Sequence, residues 1–460
     1  MKRAWTILPV KRWASADAPE AVASKHATDR GDCDRMPKLA HAKLGEPRAI
    51  GSRARTSCSS GVFAKAMERF DAIVIGGGVI GTSIACHLAR LDAGRVLLVE
   101  RGELGGGTTA QSSCIVRTHY SVPENVALAR AALDVFADFQ RYLDDDDADC
   151  GLNRCGLMLI APAGERATAL RATLAVQRKA GIDAQEIGTD SARCIHPLLD
   201  LSDDPVIGWE PGAGYADAYM TLSAYARAAR RRGAVVREGL TVTGLVRDGA
   251  RVTGVETTSG TIAAGVVVSA QNMWSRELTQ WTGIAVPLAL SRHAVVSFEA
   301  ATPYTPKLPV VMDWAPPGGI YFRSYSGRQL MIGDTGDGEA LDMPDARQGE
   351  VKLDHVAQLG ELLGRRVPAF AEAGLAHSWT GVYDTTPDWN PVLGVLPGIE
   401  GLHVAFGFSG HGFKLSPVVG RLVAQSALGL PTDLPLAPYS IERFATGQLL
   451  VGGYGASVVS

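Results

Sequence analysis

Length, composition and charge narrow the classes of protein to which this chain can belong. Its 460 residues exceed what one hydrophobic core usually fills, so we expect two domains, or one domain with large insertions. A hydrophobic content of 46% and a formal net charge of −3 are typical of a globular protein and give no support for nucleic-acid binding. The sequence contains no uninterrupted apolar run of about 18 residues, which argues against a transmembrane segment.

The cysteines bear on metal content and location. There are seven, an odd number, and no two of them show CxxC spacing. Neither a disulfide framework nor a zinc site is indicated, and we predict no metal site. A reducing compartment fits this pattern, so a cytoplasmic location is expected.

Residues 1–66 differ in composition from the rest of the chain. Lys and Arg are frequent there and apolar periodicity is absent. Such a segment cannot bury enough apolar surface to offset the entropy of ordering it. Scattered acidic residues and the lack of a signal-peptide apolar core argue against a targeting sequence. We predict that the folded protein begins near Met67 and that residues 1–66 are a disordered or misassigned extension.

Residues 70–100 carry the strongest local pattern. An apolar, β-branched run at residues 70–75 leads into the glycine turn GGGVIG at residues 76–81, and the following segment has helical apolar spacing. Residues 95–100 then form a second apolar run that ends in an acid, Glu100. Strand, glycine turn, helix, strand and terminal acid together form the dinucleotide-binding fingerprint.

Each part of this fingerprint has a physical task. Gly76 lets the chain turn sharply, Gly78 lets a pyrophosphate approach the backbone, and Gly81 lets the helix pack closely on the strand. N–H groups at the helix start hold the diphosphate. Glu100 can accept both ribose hydroxyls of an adenosine and would repel a 2′-phosphate, so NADP is disfavoured.

Helices and strands are predicted in the remaining chain from apolar spacing and turn residues. Helices are predicted at residues 123–143, 165–180, 219–232, 351–363 and 416–428. Strands are predicted at residues 156–161, 235–237, 240–246, 252–257, 265–270, 287–298, 310–314, 319–324, 329–333 and 401–406. The strands between residues 235 and 270 are predicted to form a meander that returns to the nucleotide-binding region, and those between residues 287 and 333 a separate antiparallel sheet.

Four segments carry a resemblance to a known family. They read DAIVIGGGVIGTSIACHLAR, LLVERGELGGGTTAQSS followed by IVR, RVTGVETTSGTIAAGVVVSA ahead of Trp274, and GFSGHGFKLSPVVGRLVAQ. Over about residues 67–445, the chain resembles the D-amino-acid-oxidase-like flavoproteins, in particular the sarcosine oxidase and glycine oxidase branch.

The resemblance implies an α/β (α+β) fold, with a Rossmann-like FAD-binding domain and a second, antiparallel-sheet substrate domain. The FAD-binding domain would be discontinuous and comprise residues 67–150, 205–285 and 385–445. The substrate domain would comprise residues 150–205 and 285–385, which leaves residues 446–460 as a C-terminal tail.

The resemblance also implies an activity. Family members oxidise the C–N bond of an amino acid, imino acid or N-methyl amino acid to an imine, with hydride transfer to flavin N5. Arg117, in IVRTHY, matches the carboxylate-binding arginine, and a guanidinium grips a carboxylate bidentately. Lys414, in GHGFK ahead of the last predicted helix, matches a lysine that contacts the substrate carboxylate and lies beside the flavin. His411 in the same loop is a candidate to assist.

The residues expected to contact FAD come from separate parts of the chain. They are Gly76, Gly78, Val79, Ile80, Gly81, Glu100, Arg101, Thr108, Thr109, Ser112, Ser113, Val242, Ala270, Trp274, Gly410, Gly412, Phe413 and Lys414. Further candidates for the substrate pocket are Tyr120, Tyr321, Tyr383, His119, His293 and His377. We assign no general base among these, because the substrate amine can arrive deprotonated.

Two departures from the family pattern narrow the implied chemistry. Several members bind FAD covalently through a cysteine after a GIYF-like segment, but this chain has no cysteine after Cys194, so noncovalent FAD is predicted. Sarcosine oxidases also place a lysine near flavin N5, and no lysine occurs here between Lys179 and Lys307. The electron acceptor is therefore left open between O₂ and a quinone or another protein.

Two other functions are consistent with the same residues. A 2-hydroxy-acid oxidoreductase would use the same hydride geometry and the same carboxylate anchor. A flavin-binding subunit or assembly factor of a larger complex belongs to a different class of function. The presence of both Arg117 and Lys414 disfavours a catalytically inactive site. The oligomeric state, including membership of a hetero-oligomer, stays open.

Overall fold

A computed structural model describes residues 67–304, 308–342, 349–457 and 459. The predicted N-terminal extension, residues 1–66, lies outside the described residues. Within the described ranges, none of the helices combines the length and apolar character that crossing a bilayer requires.

Helices occur along the whole described chain. The α-helices are α1 (Val79–Arg90), α2 (Pro123–Ala137), α3 (Phe139–Leu143), α4 (Glu165–Lys179), α5 (Thr189–Ile195), α6 (Ala218–Arg231), α7 (Leu278–Thr282), α8 (Leu353–Arg366), α9 (Gly412–Ala427) and α10 (Arg443–Thr446). The prediction of one helix over residues 123–143 is wrong, because Asp138, with φ −133° and ψ 52°, separates α2 from α3. Helix α9 begins at Gly412 rather than at residue 416, which places Lys414 inside its first turn rather than ahead of it.

Strands belong to two large sheets and two small ones. They are β1 (Glu68–Arg69), β2 (Ala72–Ile75), β3 (Val96–Val99), β4 (Ile115–Val116), β5 (Leu157–Ala161), β6 (Gln185–Ile187), β7 (Val206–Glu210), β8 (Gly214–Tyr215), β9 (Val235–Arg237), β10 (Val242–Asp248), β11 (Arg251–Thr257), β12 (Gly260–Ala263), β13 (Val266–Ser269), β14 (Ala289–Glu299), β15 (Val310–Asp313), β16 (Ile320–Ser326), β17 (Gln329–Asp334), β18 (Glu339–Leu341), β19 (Gly374–Thr385), β20 (Val392–Val395) and β21 (Leu402–Phe406). The mixed α/β class predicted from sequence is confirmed. The boundaries of the two predicted domains stay a prediction.

The first large sheet has six strands in the order β20-β21-β13-β2-β3-β9. All neighbours are parallel except β20 and β21. The side chains of β2 alternate between two cores, because successive residues of a strand face opposite sides. Val74 packs with helices α1, α6 and α9, whereas Ile73 and Ile75 pack with the β10–β12 meander. The predicted return of the meander to this sheet through β13 is confirmed.

The glycine turn between β2 and α1 has the close packing that the fingerprint requires. Gly76 has φ +106°, a conformation that favours glycine. A Cβ atom on Gly81 would overlap the carbonyl oxygen of Gly76, so any larger residue would push α1 away from the turn. Helix α1 therefore begins directly at the carboxyl end of β2, at the middle of the parallel sheet.

The second large sheet has nine strands in the order β18-β14-β17-β16-β15-β5-β7-β6, with β19 paired to β14. It is antiparallel apart from the parallel pair β15 and β5. Strand β19 pairs with β14 from Gly374 to Thr385, with one irregularity near Ser297. Strand β19 cannot be recognised from the sequence pattern, because its Ser, Thr and Gly residues break the apolar alternation. Its pairing with a strand that lies far away in the sequence stabilises it instead.

Candidate active site

Three adjoining cavities lie between the glycine turn and the nine-stranded sheet. The central cavity, of about 900 Å³, is lined by Gly78, Tyr383 and residues from the helix α9 loop. The glycine-turn cavity, of about 1040 Å³, shares Gly78 and Thr109 with it. The cationic cavity, of about 510 Å³, shares Tyr383 and Phe413 with the central cavity. The three form one elongated space.

The predicted cofactor residues collect along this space. The glycine-turn and central cavities are lined by Gly76, Gly78, Val79, Ile80, Glu100, Arg101, Thr108, Thr109, Ser112, Ser113, Val242, Ala270, Trp274, Gly410, Gly412 and Phe413. Lys414 lines the cationic cavity. Gly81 lies behind the glycine turn and serves packing.

The glycine turn fits a diphosphate. A Cβ atom on Gly78 would come close only to the Thr109 hydroxyl, at 3.1 Å, so this position faces the open cavity. The N–H group of Val79 at the helix start donates to the same hydroxyl, 3.1 Å away. Backbone donors and the positive end of the α1 dipole are therefore directed to the cavity, as a dinucleotide requires.

Glu100 follows the end of β3 and lines the glycine-turn cavity. Its two carboxylate oxygens accept from the N–H groups of Gly77, at 2.7 Å, and Gly102, at 2.8 Å. The Glu100 carboxylate thus links the glycine turn to the end of β3 by hydrogen bonds. Its contact with a ribose stays a prediction.

Arg117 follows β4 and lines the cationic cavity. Its side chain is buried, donates to the carbonyl oxygen of His119 and lies over the ring of Tyr120, with 4.4 Å between the guanidinium carbon and the ring centre. Arg117 is therefore not a surface residue. A buried guanidinium at a cavity wall is suited to bind an anion bidentately.

A buried polar network holds the segment that follows Arg117. The backbone N–H and hydroxyl of Thr118 donate to one oxygen of Glu210, at 2.8 and 2.7 Å, and Gln177 donates to the other, at 3.1 Å. His119 pairs with Gln177 at 2.9 Å and with Tyr454 at 3.0 Å. Burial lowers the pKa of His119 to about 3 and raises that of Glu210. These fixed partners give His119 a structural role and preorganise the backbone beside Arg117.

Lys414 lies in the first turn of α9 and is buried at the wall of the cationic cavity. Burial, assisted by repulsion from Arg117, holds the pKa of Lys414 well below its usual range. Its ammonium group makes no hydrogen bond or ion pair with any described residue. A bound carboxylate would offset both the burial and the repulsion. The two cations predicted from distant segments are thus brought to one cavity.

In the loop before α9, Gly410 lines the central cavity, whereas His411 does not. Gly410 has φ +84°, and a Cβ atom there would lie 2.7 Å from the ring of Tyr383, so this position needs glycine. His411 is buried, and its ring packs against Tyr120 with 5.2 Å between the ring centres. His411 is not among the described residues that line the three cavities. The structure therefore places it behind the loop, and its assistance in catalysis stays a prediction.

The nine-stranded sheet supplies the opposite wall. Tyr321 from β16 and Tyr383 from β19 line both the central and the cationic cavity. Burial raises the pKa of Tyr383 to about 12, so its hydroxyl stays protonated and can donate at neutral pH. Burial raises the pKa of Tyr321 further. Of the other candidate pocket residues, His293 lines the central cavity, whereas His377 is exposed beside Tyr325.

Asp384 and Arg323 are buried charged residues that the sequence analysis missed. Asp384 lines the central cavity and accepts from the Gly407 N–H at 2.6 Å, and burial raises its pKa to about 7. Arg323 donates to the carbonyl oxygen of Ser113 at 2.8 Å and so holds a cavity-lining segment from the side of the sheet. Neither belongs to a short motif, and each is recognisable only once strands from distant segments are paired.

Comparison with known proteins places these features in a family. The chain matches the family of FAD dependent oxidoreductases, DAO, over residues 71–426. It is 30% identical over 403 residues to sarcosine oxidase subunit beta from Arthrobacter sp., an alignment that covers 85% of this chain and 95% of that protein.

Solved structures give the same result for the fold. The crystal structure of L-proline dehydrogenase from P. horikoshii superposes with a TM-score of 0.76 at 26% identity, covering 83% of this chain and all of that one. The crystal structure of glycine oxidase from Geobacillus kaustophilus superposes with a TM-score of 0.72 at 28% identity, covering 82% of this chain and 99% of that one.

Proposed function

The chain belongs to the DAO family of FAD-dependent oxidoreductases, and on this basis we propose that it oxidises the C–N bond of a small carboxylated amine to an imine. The substrate classes are an N-methyl amino acid, a cyclic imino acid or an amino acid. One observation carries the proposal. Arg117 and Lys414 line the same cavity, and that cavity adjoins the cradle suited to FAD.

The proposed roles follow from the placement of each residue. Arg117 binds the substrate carboxylate bidentately, and Lys414 contributes a second positive charge. Tyr321 and Tyr383 line both the cationic and the central cavity, and their proposed role is to orient the substrate between the two. When bound, FAD accepts a hydride from the carbon beside nitrogen. Fixing the carboxylate at one end presents that carbon to the central cavity.

We propose that FAD is held noncovalently. Cys114 is the described cysteine next in sequence to the cavity-lining residue Ser113. It is buried, its thiol donates to the Ser112 carbonyl oxygen at 3.4 Å, and burial raises its pKa to about 11. A thiol that stays protonated is a poor nucleophile for attaching a flavin. Flavin that remained with acid-precipitated protein would contradict this.

The roles of the two cations are tested by replacing each with an uncharged residue of similar length. We expect Arg117→Met and Lys414→Met to retain FAD but to lower the rate of anaerobic flavin bleaching by sarcosine, L-proline or glycine about 100-fold or more. The reason is that hydrogen bonds to charged groups contribute about 1.5–3 kcal/mol each. Arg141→Met is the matched control, because the Arg141 side chain is exposed in α3. Bleaching by Arg117→Met at the wild-type rate would contradict the proposal.

The product separates the proposal from oxidation of a 2-hydroxy acid. Turnover of an amine releases ammonia, or formaldehyde from an N-methyl group, whereas a hydroxy acid gives a keto acid alone. Bleaching by lactate but by none of the amines would favour the hydroxy acid. Reoxidation of the bleached protein in air or by a quinone then identifies the electron acceptor.

We also propose that the chain works with other subunits. The support is its similarity, along nearly the full length of both chains, to a protein named as the beta subunit of sarcosine oxidase. Light scattering on the chain alone and after co-purification from its source would test this, and a monomer in both preparations would contradict it.

A further inference from the structure

The nine-stranded sheet has a gap in its backbone pairing beside the central cavity. On one edge, β14 pairs with β17 over Val295–Glu299 and with β18 over Leu290–Arg292. His293 and Ala294 lie between these two partner strands and have no paired residue on this edge within the described chain. Gly338, which has no side chain, packs against the Arg292 carbonyl oxygen and the His293 ring here, so side chains from the two faces of the sheet can approach each other.

Three titratable side chains cross the gap. His293 Nδ1 lies 4.0 Å from one carboxylate oxygen of Asp334, and the other oxygen lies 3.0 Å from His355 Nε2. His293 is buried and lines the central cavity. Asp334 and His355 have side chains that are 23% and 33% exposed. The row of His293, Asp334 and His355 thus begins at a buried residue and ends near solvent.

The outer end of the row opens into a separate space, the rear cavity, of about 1020 Å³. It is lined by Asp334 and His355 together with Ala294 and Thr380. Ala294 follows His293 in β14, and adjacent residues of a strand point to opposite faces. The rear cavity therefore lies on the face of the sheet opposite the central cavity.

We propose that His293, Asp334 and His355 conduct a proton from the amine of the bound substrate, through the gap in the sheet, to the rear cavity. This rests on the function proposed above. From the sequence we assign no general base, because the amine can arrive deprotonated, but an alkyl amine has an ordinary pKa near 10, so at neutral pH most of the substrate arrives as an ammonium ion. That ion has no lone pair to assist loss of a hydride from the neighbouring carbon, so it must first lose a proton.

The hydrogen bonds of His293 give the transfer a direction. Its Nε2 shares a hydrogen bond of 2.9 Å with the Ser291 hydroxyl, whereas its Nδ1 has no hydrogen-bond partner among the described residues. An N–H bond of the ammonium breaks, its electron pair stays on nitrogen, and the proton passes to Nε2 of His293, the relay residue that lines the central cavity. The Nδ1 proton then passes to Asp334, once a small side-chain rotation shortens the 4.0 Å distance between Nδ1 and the carboxylate oxygen. Asp334 passes this proton to His355, which releases it to solvent from the rear cavity.

The groups around His293 favour onward transfer of the proton rather than its retention on the ring. Its ring stacks on Tyr383, with 3.9 Å between the ring centres. Burial lowers the pKa of His293 to about 4, against the opposing effect of Asp334 and Asp337. A proton on this ring is therefore unstable and moves on to the carboxylate.

The charged residues at the rear cavity do not prevent the proton from leaving. Glu339 pairs with Arg292 at 3.0 Å and with Lys352 at 3.6 Å, so these cations are largely offset by an acid. Glu350 also lines this cavity. Lys414 lies at the buried wall beside Arg117, and in its proposed role it already carries a positive charge, so it cannot accept this proton.

The test uses the FAD-loaded protein and whichever of sarcosine, L-proline or glycine bleaches it. Anaerobic mixing in weak buffer with a pH-indicator dye follows proton release into solvent separately from flavin bleaching. Near neutral pH, we expect Asp334→Asn to slow both proton release and bleaching about tenfold or more. We expect His355→Gln to slow them less, because Asp334 is itself partly exposed.

The pH profile separates proton transfer from a structural role. At about pH 10 much of the amine arrives deprotonated, so the defect of Asp334→Asn should largely disappear. Asp354→Asn, at an exposed position of α8, is the matched control and should behave as wild type. Equal rates and equal dye signals for Asp334→Asn and wild type from neutral pH to about pH 10, or a defect that persists unchanged at high pH, would overturn the relay. Failure of every amine to bleach the wild-type protein would instead overturn the proposed function.

Discussion

The two large sheets form opposite sides of the same cavities, yet they position functional groups in different ways. On the six-stranded sheet, the turn between β2 and α1 lines the cavities with Gly76 and Gly78, which have no side chains, so backbone atoms face the cavities there. On the nine-stranded sheet, they are side chains such as those of Tyr321 and Tyr383, which come from strands far apart in sequence. A site built from one turn depends on close packing, whereas a site built from paired strands depends on burial and charge. Substitutions on the two sides should therefore fail in different ways.

The largest effect is expected on the glycine-turn side. In Gly81→Ala the new methyl group would overlap the Gly76 carbonyl oxygen, so α1 must move away from the turn that we propose to hold the diphosphate. We expect FAD affinity to fall about 100-fold or more, a loss of about 3 kcal/mol. Titration of apoprotein with FAD, followed by flavin fluorescence, measures this.

A matched glycine tests whether packing is the cause. A Cβ atom on Gly265 would meet no atom within 4 Å, so Gly265→Ala should bind FAD as the wild type does. Circular dichroism checks that both variants are folded. Wild-type FAD affinity in folded Gly81→Ala would show that the close approach of α1 is not needed.

A smaller effect, on stability, is expected on the side of the nine-stranded sheet. Burial raises the pKa of Asp384 to about 7, above the value near 3.9 of an unfolded chain. Between these values the folded state binds more protons, so the free energy of unfolding falls as the pH rises through this window. Asp384→Asn removes the charge and can still accept from the Gly407 N–H. Near pH 8 we expect this variant to be more stable than wild type by on the order of 2 kcal/mol.

The pH dependence provides the check on Asp384→Asn. Near pH 4 the wild-type carboxyl is protonated, so the two proteins should unfold at nearly the same denaturant concentration. Asp354→Asn, at an exposed position, should change the free energy of unfolding by less than about 0.5 kcal/mol at either pH. A wild-type protein more stable than Asp384→Asn near pH 8 would indicate a charged, stabilising carboxylate.

The same contrast explains how much could be predicted from the sequence. The glycine turn and Glu100 lie within one stretch of chain, and local spacing was sufficient to place them at one cavity. Arg117 and Lys414 were found only through the family resemblance, because nothing in their local sequence distinguishes them from surface cations. Their burial at one cavity is a result of the fold.

The remaining features depend on pairing between distant strands. Strand β19 has no regular apolar alternation, so neither the strand nor the position of Asp384 within it could be predicted. The row of His293, Asp334 and His355 forms only because β17 ends beside His293. The register between β14 and β17 fixes that end point. The sequence likewise does not show the direction of the His411 side chain, whose ring packs against Tyr120.

The central claim is that a carboxylate held by Arg117 and Lys414 presents the neighbouring C–N bond for oxidation. The most direct test compares amines that differ only in this group, such as L-proline with pyrrolidine and sarcosine with dimethylamine, in anaerobic flavin bleaching. We expect a carboxylated member to bleach the flavin at least about 100-fold faster than its partner at equal concentration. Equal rates for the two members of each pair would contradict the account.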